Sequence, residues 1–582
     1  MNACILALFL LVISSLPAMA APDAFAPAAK RLTETIKREM AANKVKGLSI
    51  ALVDDQRVIW SRAFGYADEA AKVPATVDTV YRAGSISKVL TSMRAMQLSE
   101  SGRLDIDADV RRVLPDFSVH SRFENAPITA RMLMTHHSGL PTDVVAGMWT
   151  ETPDTLAQFV PKIARESLAS PPATEFRYSN VAYSLLGRMI EVLDGKEFAR
   201  SMQDGLLGPL GMNDSSYVMT AKLWPRYAKG YQGGREADRP TLRDQPTGAL
   251  FTTVTDMSRF LSALFAQGRG VVSPDTLREM TRVQFPGLPL DFGHEMGLGW
   301  MLSGVRLKGG QLLVWHGGAA IPFQAFCAML PGEKLGVVIL SNTQEASHFL
   351  STLGIEALDL ALEARTGIKP TPAPEPAKPQ PVSVKEAELA RVVGAYATFS
   401  SLLGAVWQDA QGLKMWLWER AVELEPVQAG PGRMMFLPRT EALFGLGTKA
   451  MPDLSLEFTQ TAGREVLVLR GHATPYAFEK IVPRPIPQAW KDRLGVYVTD
   501  QTGRGISYRS LELLEQDGLL LAKIGVSNGI PGSPTAQSLF PLVLVSDREA
   551  VIGGIGTGSG GVVRAENGGL YHSGYDFRRV AR

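Results

Sequence analysis

Gly84-Ser85-Ile86-Ser87-Lys88 opens a run in which Ile86, Val89, Leu90, Met93 and Met96 recur at helical spacing, with Gly102 as a stop. On such a helix Ser85 and Lys88 lie three residues apart, so they share a face and can touch. A serine at the helix start sits at the positive end of the dipole, where an alkoxide is less costly. A lysine beside it in a partly buried site can lose its proton near neutral pH and act as a base. That pairing suits acyl transfer through a serine nucleophile. Alone it is weak, because a chain this long holds on the order of one S-x-x-K by chance. A helix N-terminus carrying a surface lysine would show the same letters.

Two more stretches extend the pattern. In Phe176-Arg177-Tyr178-Ser179-Asn180, a loop tyrosine ahead of a helix can meet the hydroxyl of a nucleophile. Near a cation its phenolate is favoured, so it can take and return a proton. Asn180 can donate an amide N–H to a substrate carbonyl while its oxygen holds Lys88. His316-Gly317-Gly318 ends an apolar strand, and the glycines let substrate lie against the strand edge. The N–H of Ala319, just beyond, can join that of Ser85 to hold an oxyanion. His136 and His137 are adjacent, so they do not share a helix face, and they read as structural or loop residues. No set of three or four converging metal ligands is visible.

In this order, S-x-x-K, Y-x-N and H-x-G, the chain resembles the penicillin-recognising serine hydrolases, in particular the class C β-lactamase and serine peptidase S12 group. The likeness runs from about Phe25 to Glu363. It includes Thr135-His136-His137-Ser138-Gly139-Leu140, Gly248-Ala249-Leu250-Phe251-Thr252-Thr253 and Gly297-Leu298-Gly299-Trp300. The resemblance implies an α+β domain, a five-stranded antiparallel sheet with a helical lobe and the site between them. It implies an acyl-enzyme on Ser85, with Lys88 as activating partner and Tyr178 as general acid or base. Asn180 would position substrate, His316 and Gly318 would border the acyl site, and Ala319 with Ser85 would form the oxyanion hole. It implies no metal and no cofactor. Class C β-lactamases show K-T-G where this chain has His316-Gly317-Gly318, so the resemblance points away from efficient β-lactam hydrolysis.

The same α+β arrangement is legible without the resemblance. Phe25 to Ala42 reads as a helix, Gly47 to Val53 and Arg57 to Gly65 as strands, and Asp105 to Trp300 as mainly helices and loops. Leu312 to His316, Phe323 to Leu330 and Leu335 to Ser341 read as three strands, and Glu345 to Ala364 as a helix. Two strands from the start and three from the end can form one sheet, covered by terminal helices on one face and the middle region on the other.

Beyond this part, composition changes. Pro370, Pro372, Pro374, Pro376, Pro379 and Pro381 mark an extended linker over residues 367–384. The remainder is β-rich and repeats: Gly394-Ala395-Tyr396 recurs as Gly495-Val496-Tyr497, and Tyr476-Ala477-Phe478 as Tyr575-Asp576-Phe577. Two small all-β, barrel-like domains are expected, over 385–482 and 488–582. Such paired domains resemble those of D-aminopeptidase-type members of the same family. Trp407, Trp416 and Trp418 read as barrel core or rim.

Residues 1–20 read as an export leader with Ile5 to Ile13 as apolar core and Ala18-Met19-Ala20 as cleavage site, which leaves 21–366 as the hydrolase-like domain and a periplasmic or secreted location. The apolar run is shorter than the roughly 20 residues a membrane span needs. Of the two cysteines, Cys4 lies in the leader, so Cys327 has no internal partner; its apolar neighbours mark it as a buried thiol. A formal net charge of +2 gives no electrostatic case for nucleic acid. The expected activity is cleavage of a small peptide, amide or ester, foremost a D-residue-containing or cell-wall-derived peptide. A carboxylesterase, a β-lactamase and a non-catalytic ligand-binding protein remain open, as does the oligomeric state.

Overall fold

The computed structural model describes residues 25–580 except 125, 269, 308, 370–379, 399, 418–419, 428–433, 440–441, 444–445, 448–453, 471–474, 502, 528–534 and 557. The expected leader, part of the expected linker and Trp418 lie outside the described residues.

Helix α1 (Ala26–Ala42) starts with a proline in its first turn, where no amide partner is needed. It buries Leu32, Ile36 and Met40, one face at four-residue spacing. It feeds β1 (Gly47–Asp54) and β2 (Arg57–Asp68), which pair antiparallel. The sheet runs in the order Val314–Ala320, Phe323–Leu330, Leu335–Ser341, β1, β2 and a two-residue sixth strand, β3 (Val73–Pro74).

β1 reads as an unbroken apolar run because both of its faces are covered. Leu48, Ile50 and Leu52 point toward α1 and the helix Leu350–Thr366, together with Phe326, Ala328 and Ile339 from the neighbouring strands. Ala51, Val53, Cys327, Val338 and Leu340 point into the helical lobe. Cys327 is fully buried and its thiol is pushed up to about 12 by burial.

Two expected elements differ from those observed. The strand expected at 312–316 runs from Val314 to Ala320, so His316-Gly317-Gly318 lies inside the strand, not at its end. The glycines do not stop it; they leave room for the neighbouring chain to press on it. The helix expected from Glu345 begins at Leu350, after a 3-10 turn over Gln344–His348.

The C-terminal half forms two closed eight-stranded barrels, the first from Gly394–Ala397 to Tyr476–Ile481 and the second from Gly495–Val498 to Tyr575–Arg579. The repeated G-x-Y opens the first strand of each. Tyr396 donates to the Val392 carbonyl at 2.7 Å and Tyr497 to the Arg493 carbonyl at 2.9 Å, the same four-residue reach backward. Trp416 lies within the strand Gly412–Leu417 of the first barrel and is 44% exposed, so it is not part of the barrel core.

The second barrel is docked on the helical lobe. Arg165 pairs with Glu566 and Asp576, Tyr571 donates to Glu166, and Arg564 donates to the Arg165 carbonyl and to Ser167. The Val145 amide donates to Ser573 Oγ, and Gly558 N–H to Thr142 Oγ1. No helix among the described residues is long and apolar enough to cross a membrane.

Candidate functional site

Strand β4 (Tyr81–Arg82) leads into a 3-10 turn over Gly84–Ile86, and α2 (Ser87–Glu100) follows. Ser85 therefore sits in the turn that feeds the helix, just ahead of its first residue. Gly84 adopts φ +53°, and a Cβ there would lie 2.5 Å from the Ala319 nitrogen. A Cβ on Gly318 would lie 2.0 Å from the Ala83 carbonyl oxygen. Both glycines are thus required for the edge strand Val314–Ala320 to lie directly on the turn that carries Ser85. This close approach brings the backbone of Ala319, which is exposed, beside that of Ser85.

One turn along, Lys88 is fully buried. Its Nζ donates to Ser85 Oγ at 3.1 Å and to the Thr247 carbonyl at 2.9 Å. Burial brings the ammonium down to about 7, against the opposing pull of Asp143 and Asp244. Asp244 itself is paired to Arg243 and accepts from Ser184.

Tyr178 precedes the helix Asn180–Asp194, whose first turn is capped by Ser179 accepting from the Ala182 amide. The Tyr178 side chain hydrogen-bonds Ser85. Contrary to the expected phenolate, the Tyr178 hydroxyl keeps its proton. Loss of water around the hydroxyl raises its pKa far above the ordinary value, and the Ser85 bond offsets only part of this. Lys88 Nζ lies over the face of the ring, 4.8 Å from its centroid, not at the oxygen. In the resting site Tyr178 is a phenol, a proton donor.

Asn180 also departs from its expected contacts. Its Nδ2 donates to Asp143 Oδ1 at 2.8 Å, and Lys88 is held by the Thr247 carbonyl, not by the Asn180 oxygen. The reason is geometric: Asn180 opens its helix beside the loop that carries Asp143, and that carboxylate takes its amide. Burial, with Asp244 nearby, raises the pKa of Asp143.

The adjacent histidines brace the Tyr178 loop from two sides. His136 caps α3 (Ala130–Thr135) in a left-handed conformation, φ +63°. Its ring stacks on Tyr178 with centroids 4.3 Å apart, and its Nδ1 accepts from the Ser179 amide at 3.0 Å. Burial and Lys88 hold it neutral, well below its ordinary pKa. His137 Nε2 meets Asp291 at 3.0 Å, and Asp291 accepts from the Phe176 amide at 2.5 Å.

His316 is buried inside the edge strand. Burial, then Lys88, lowers it to about 4, so it is neutral at ordinary pH. Its Nδ1 lies 2.5 Å from the Gly317 carbonyl, which only accepts, so Nδ1 carries the proton and Nε2 presents a lone pair. Nε2 has no partner among the described residues.

The structure thus gathers Ser85, Lys88, Tyr178, Gly318 and Ala319 about one point, sets His316 in the wall beside them, and turns the Asn180 amide toward Asp143. The sequence reading missed Asp143, the Thr247 carbonyl and the stacking of His136. Asp143 follows the Thr135-to-Leu140 segment by three residues, and that proximity was its one available signal.

Residues 32–360 match the family model described as Beta-lactamase. Protein flp of Staphylococcus aureus (strain N315) is 26% identical over 319 residues, 54% of this chain and 63% of that protein, so the chain matches less than two thirds of that relative's length. Penicillin-binding protein 4 of Amycolatopsis lactamdurans is 29% identical over 344 residues, 55% of this chain and 87% of that protein. Among solved structures, the octameric penicillin-binding protein homologue from Pyrococcus abyssi shares the fold, with TM-score 0.50 and 24% identity over 78% of this chain and 100% of that one.

Proposed function

Because this chain belongs to the beta-lactamase family, whose model spans more than half of it, we propose that it is an exported serine hydrolase that cleaves an amide or ester through an acyl-enzyme on Ser85. The observation that carries this reading is Lys88: fully buried, 3.1 Å from Ser85 Oγ, and brought to about 7. A neutral amine at that place turns its lone pair to the serine and keeps an N–H on the Thr247 carbonyl.

The proton path follows from the resting states. Lys88 takes the proton of Ser85 as Oγ attacks the carbonyl carbon. The developing oxyanion is held by the backbone N–H groups of Ser85 and Ala319. Tyr178, a phenol, gives its proton to the leaving nitrogen or oxygen, and the acyl-enzyme remains with a charged Lys88 and a Tyr178 phenolate. A water then gives a proton to Tyr178 and attacks the ester. Ser85 leaves and recovers its proton from Lys88, which restores the starting site. His316, neutral, supplies no charge for a substrate carboxylate.

The substrate we propose is a peptide or amide containing a D-residue. The H-x-G motif and the paired barrels support this reading, as does the penicillin-binding name of a relative. A panel of D-amino-acid amides and D-peptides, short esters and a chromogenic cephalosporin tests it. Turnover of D-substrates with slow or absent cephalosporin cleavage is expected; turnover of esters alone would make the protein a carboxylesterase.

A further inference from the structure

Between Asn180 and the second barrel runs one short stretch of chain, Thr142 to Ala146, and it is held from both sides. From the barrel, the turn Ser573-Gly574 grips it. Ser573 Oγ accepts from the Val145 amide at 2.9 Å and donates to the Asp143 carbonyl at 3.2 Å. The Ala146 amide donates to the Ser573 carbonyl at 3.1 Å. Both turn residues are left-handed, φ +51° and +83°, and a Cβ on Gly574 would lie 2.7 Å from the Ala146 Cβ. The Gly558 N–H adds a bond to Thr142 Oγ1 at 3.1 Å. From the lobe, Arg243 donates to the Val144 and Ala146 carbonyls at 2.7 and 2.6 Å.

The inner side of the same stretch meets the proposed site. The Thr142 carbonyl accepts from the Asn180 amide at 2.8 Å, so the stretch sets where the helix Asn180–Asp194 begins. Asp143 Oδ1 accepts from Asn180 Nδ2 at 2.8 Å. A side-chain amide is planar with unlike ends, so a carboxylate that takes its nitrogen also sets where its oxygen points. Asp143 is also the foremost negative charge acting on Lys88, ahead of Asp244. Asp244, Lys88 and Arg243 act on Asp143 in turn, and Tyr178 and, from the barrel, Tyr508 stand in its field.

One residue thus stands between barrel docking and the chemistry. We propose that Asp143 is a positioning residue, held in place by the Ser573-Gly574 turn of the second barrel, that orients the Asn180 amide and supplies a negative charge acting on Lys88. On this account the barrel completes the active site from behind and does more than stabilise the lobe. The inference rests on the reading of Ser85 as nucleophile.

The rate at which a fluorophosphonate labels Ser85, followed against pH, reads Lys88 without a chosen substrate. In the wild-type chain it should rise through about pH 7. Asp143→Asn keeps an oxygen to accept from Asn180 and removes the charge, so the rise should move about half a pH unit or more to lower pH. Ser573→Gly, which keeps the left-handed turn and removes the hydroxyl, should move it the same way by less, and should add nothing in the Asp143→Asn background. Arg165→Gln, which weakens docking elsewhere, should leave it in place. At about pH 9, where Lys88 is neutral in every variant, Asp143→Leu should lose about tenfold in kcat on p-nitrophenyl butyrate or D-alanine p-nitroanilide, while Asp143→Asn retains most of it. A rise that stays at the wild-type pH in Asp143→Asn, or wild-type turnover in Asp143→Leu, overturns the role of Asp143. A shift in Arg165→Gln equal to that in Ser573→Gly overturns the part given to the turn. No labelling of well-folded wild type would overturn the nucleophile, and this role with it.

Discussion

Lys88 carries an electrostatic cost that its chemistry requires. In the unfolded chain it titrates near the ordinary lysine value; in the folded chain it titrates near 7. Between those values the unfolded state binds more protons, so stability rises with pH from about 7 toward 10, and below 7 the full cost is present. Lys88→Met should therefore stabilise the protein by roughly 1–2 kcal/mol at pH 6 and by less at pH 9, read from denaturant unfolding. The same titration sets activity: kcat/KM should climb through about pH 7 as Lys88 becomes neutral, and Lys88→Met should lose both this limb and at least 100-fold in rate. A variant that kept the limb would place the base elsewhere. At this scale the sequence showed which residues meet but not how they point. Three-residue spacing sufficed to join Ser85 and Lys88, because a helical turn fixes that neighbourhood. The partners of Asn180 and the protonation of Tyr178 depend on Asp143 and on burial, neither of which local spacing reveals.

Among the elements, the edge strand Val314–Ala320 and the turn Gly84–Ile86 act as one unit, because Gly318 and Gly84 leave no room for a Cβ between them. Gly318→Ala should push the strand off the turn and separate Ala319 from Ser85. A loss of 100-fold or more in kcat is expected, at a cost of about 1–3 kcal/mol in stability and with circular dichroism unchanged. Full activity in Gly318→Ala would show that the contact is not needed. Those glycines also explain why this strand was read two residues early and four residues short. Paired glycines are ordinary strand terminators, and here a tertiary contact keeps them extended. The other four long strands were read within three residues of their bounds, since continuous apolar runs flanked by turn residues leave little choice.

For the whole molecule, the repeated G-x-Y and terminal aromatic strand were enough to foresee two similar β units, because each tyrosine fastens its own barrel by the same backward bond. Their docking was not legible, since it depends on scattered residues far apart in sequence. One of its buried contacts is Arg177, next to Tyr178. Arg177 is 2% exposed, pairs with Glu175 at 2.6 Å, and donates to Ser559 and to the Gly556 carbonyl of the second barrel. Arg177→Met would leave Glu175 buried with only Arg464, at 3.8 Å, as counter-charge. A loss of about 3–5 kcal/mol is expected, with faster proteolysis between lobe and barrel. Unchanged melting and proteolysis would mean that the barrel is held by its other contacts alone.

Intact mass after treatment with a fluorophosphonate reads the nucleophilicity of Ser85 itself. One adduct is expected on the wild-type chain and none on Ser85→Ala. No adduct on well-folded wild type, or an adduct that persists in Ser85→Ala, would contradict it.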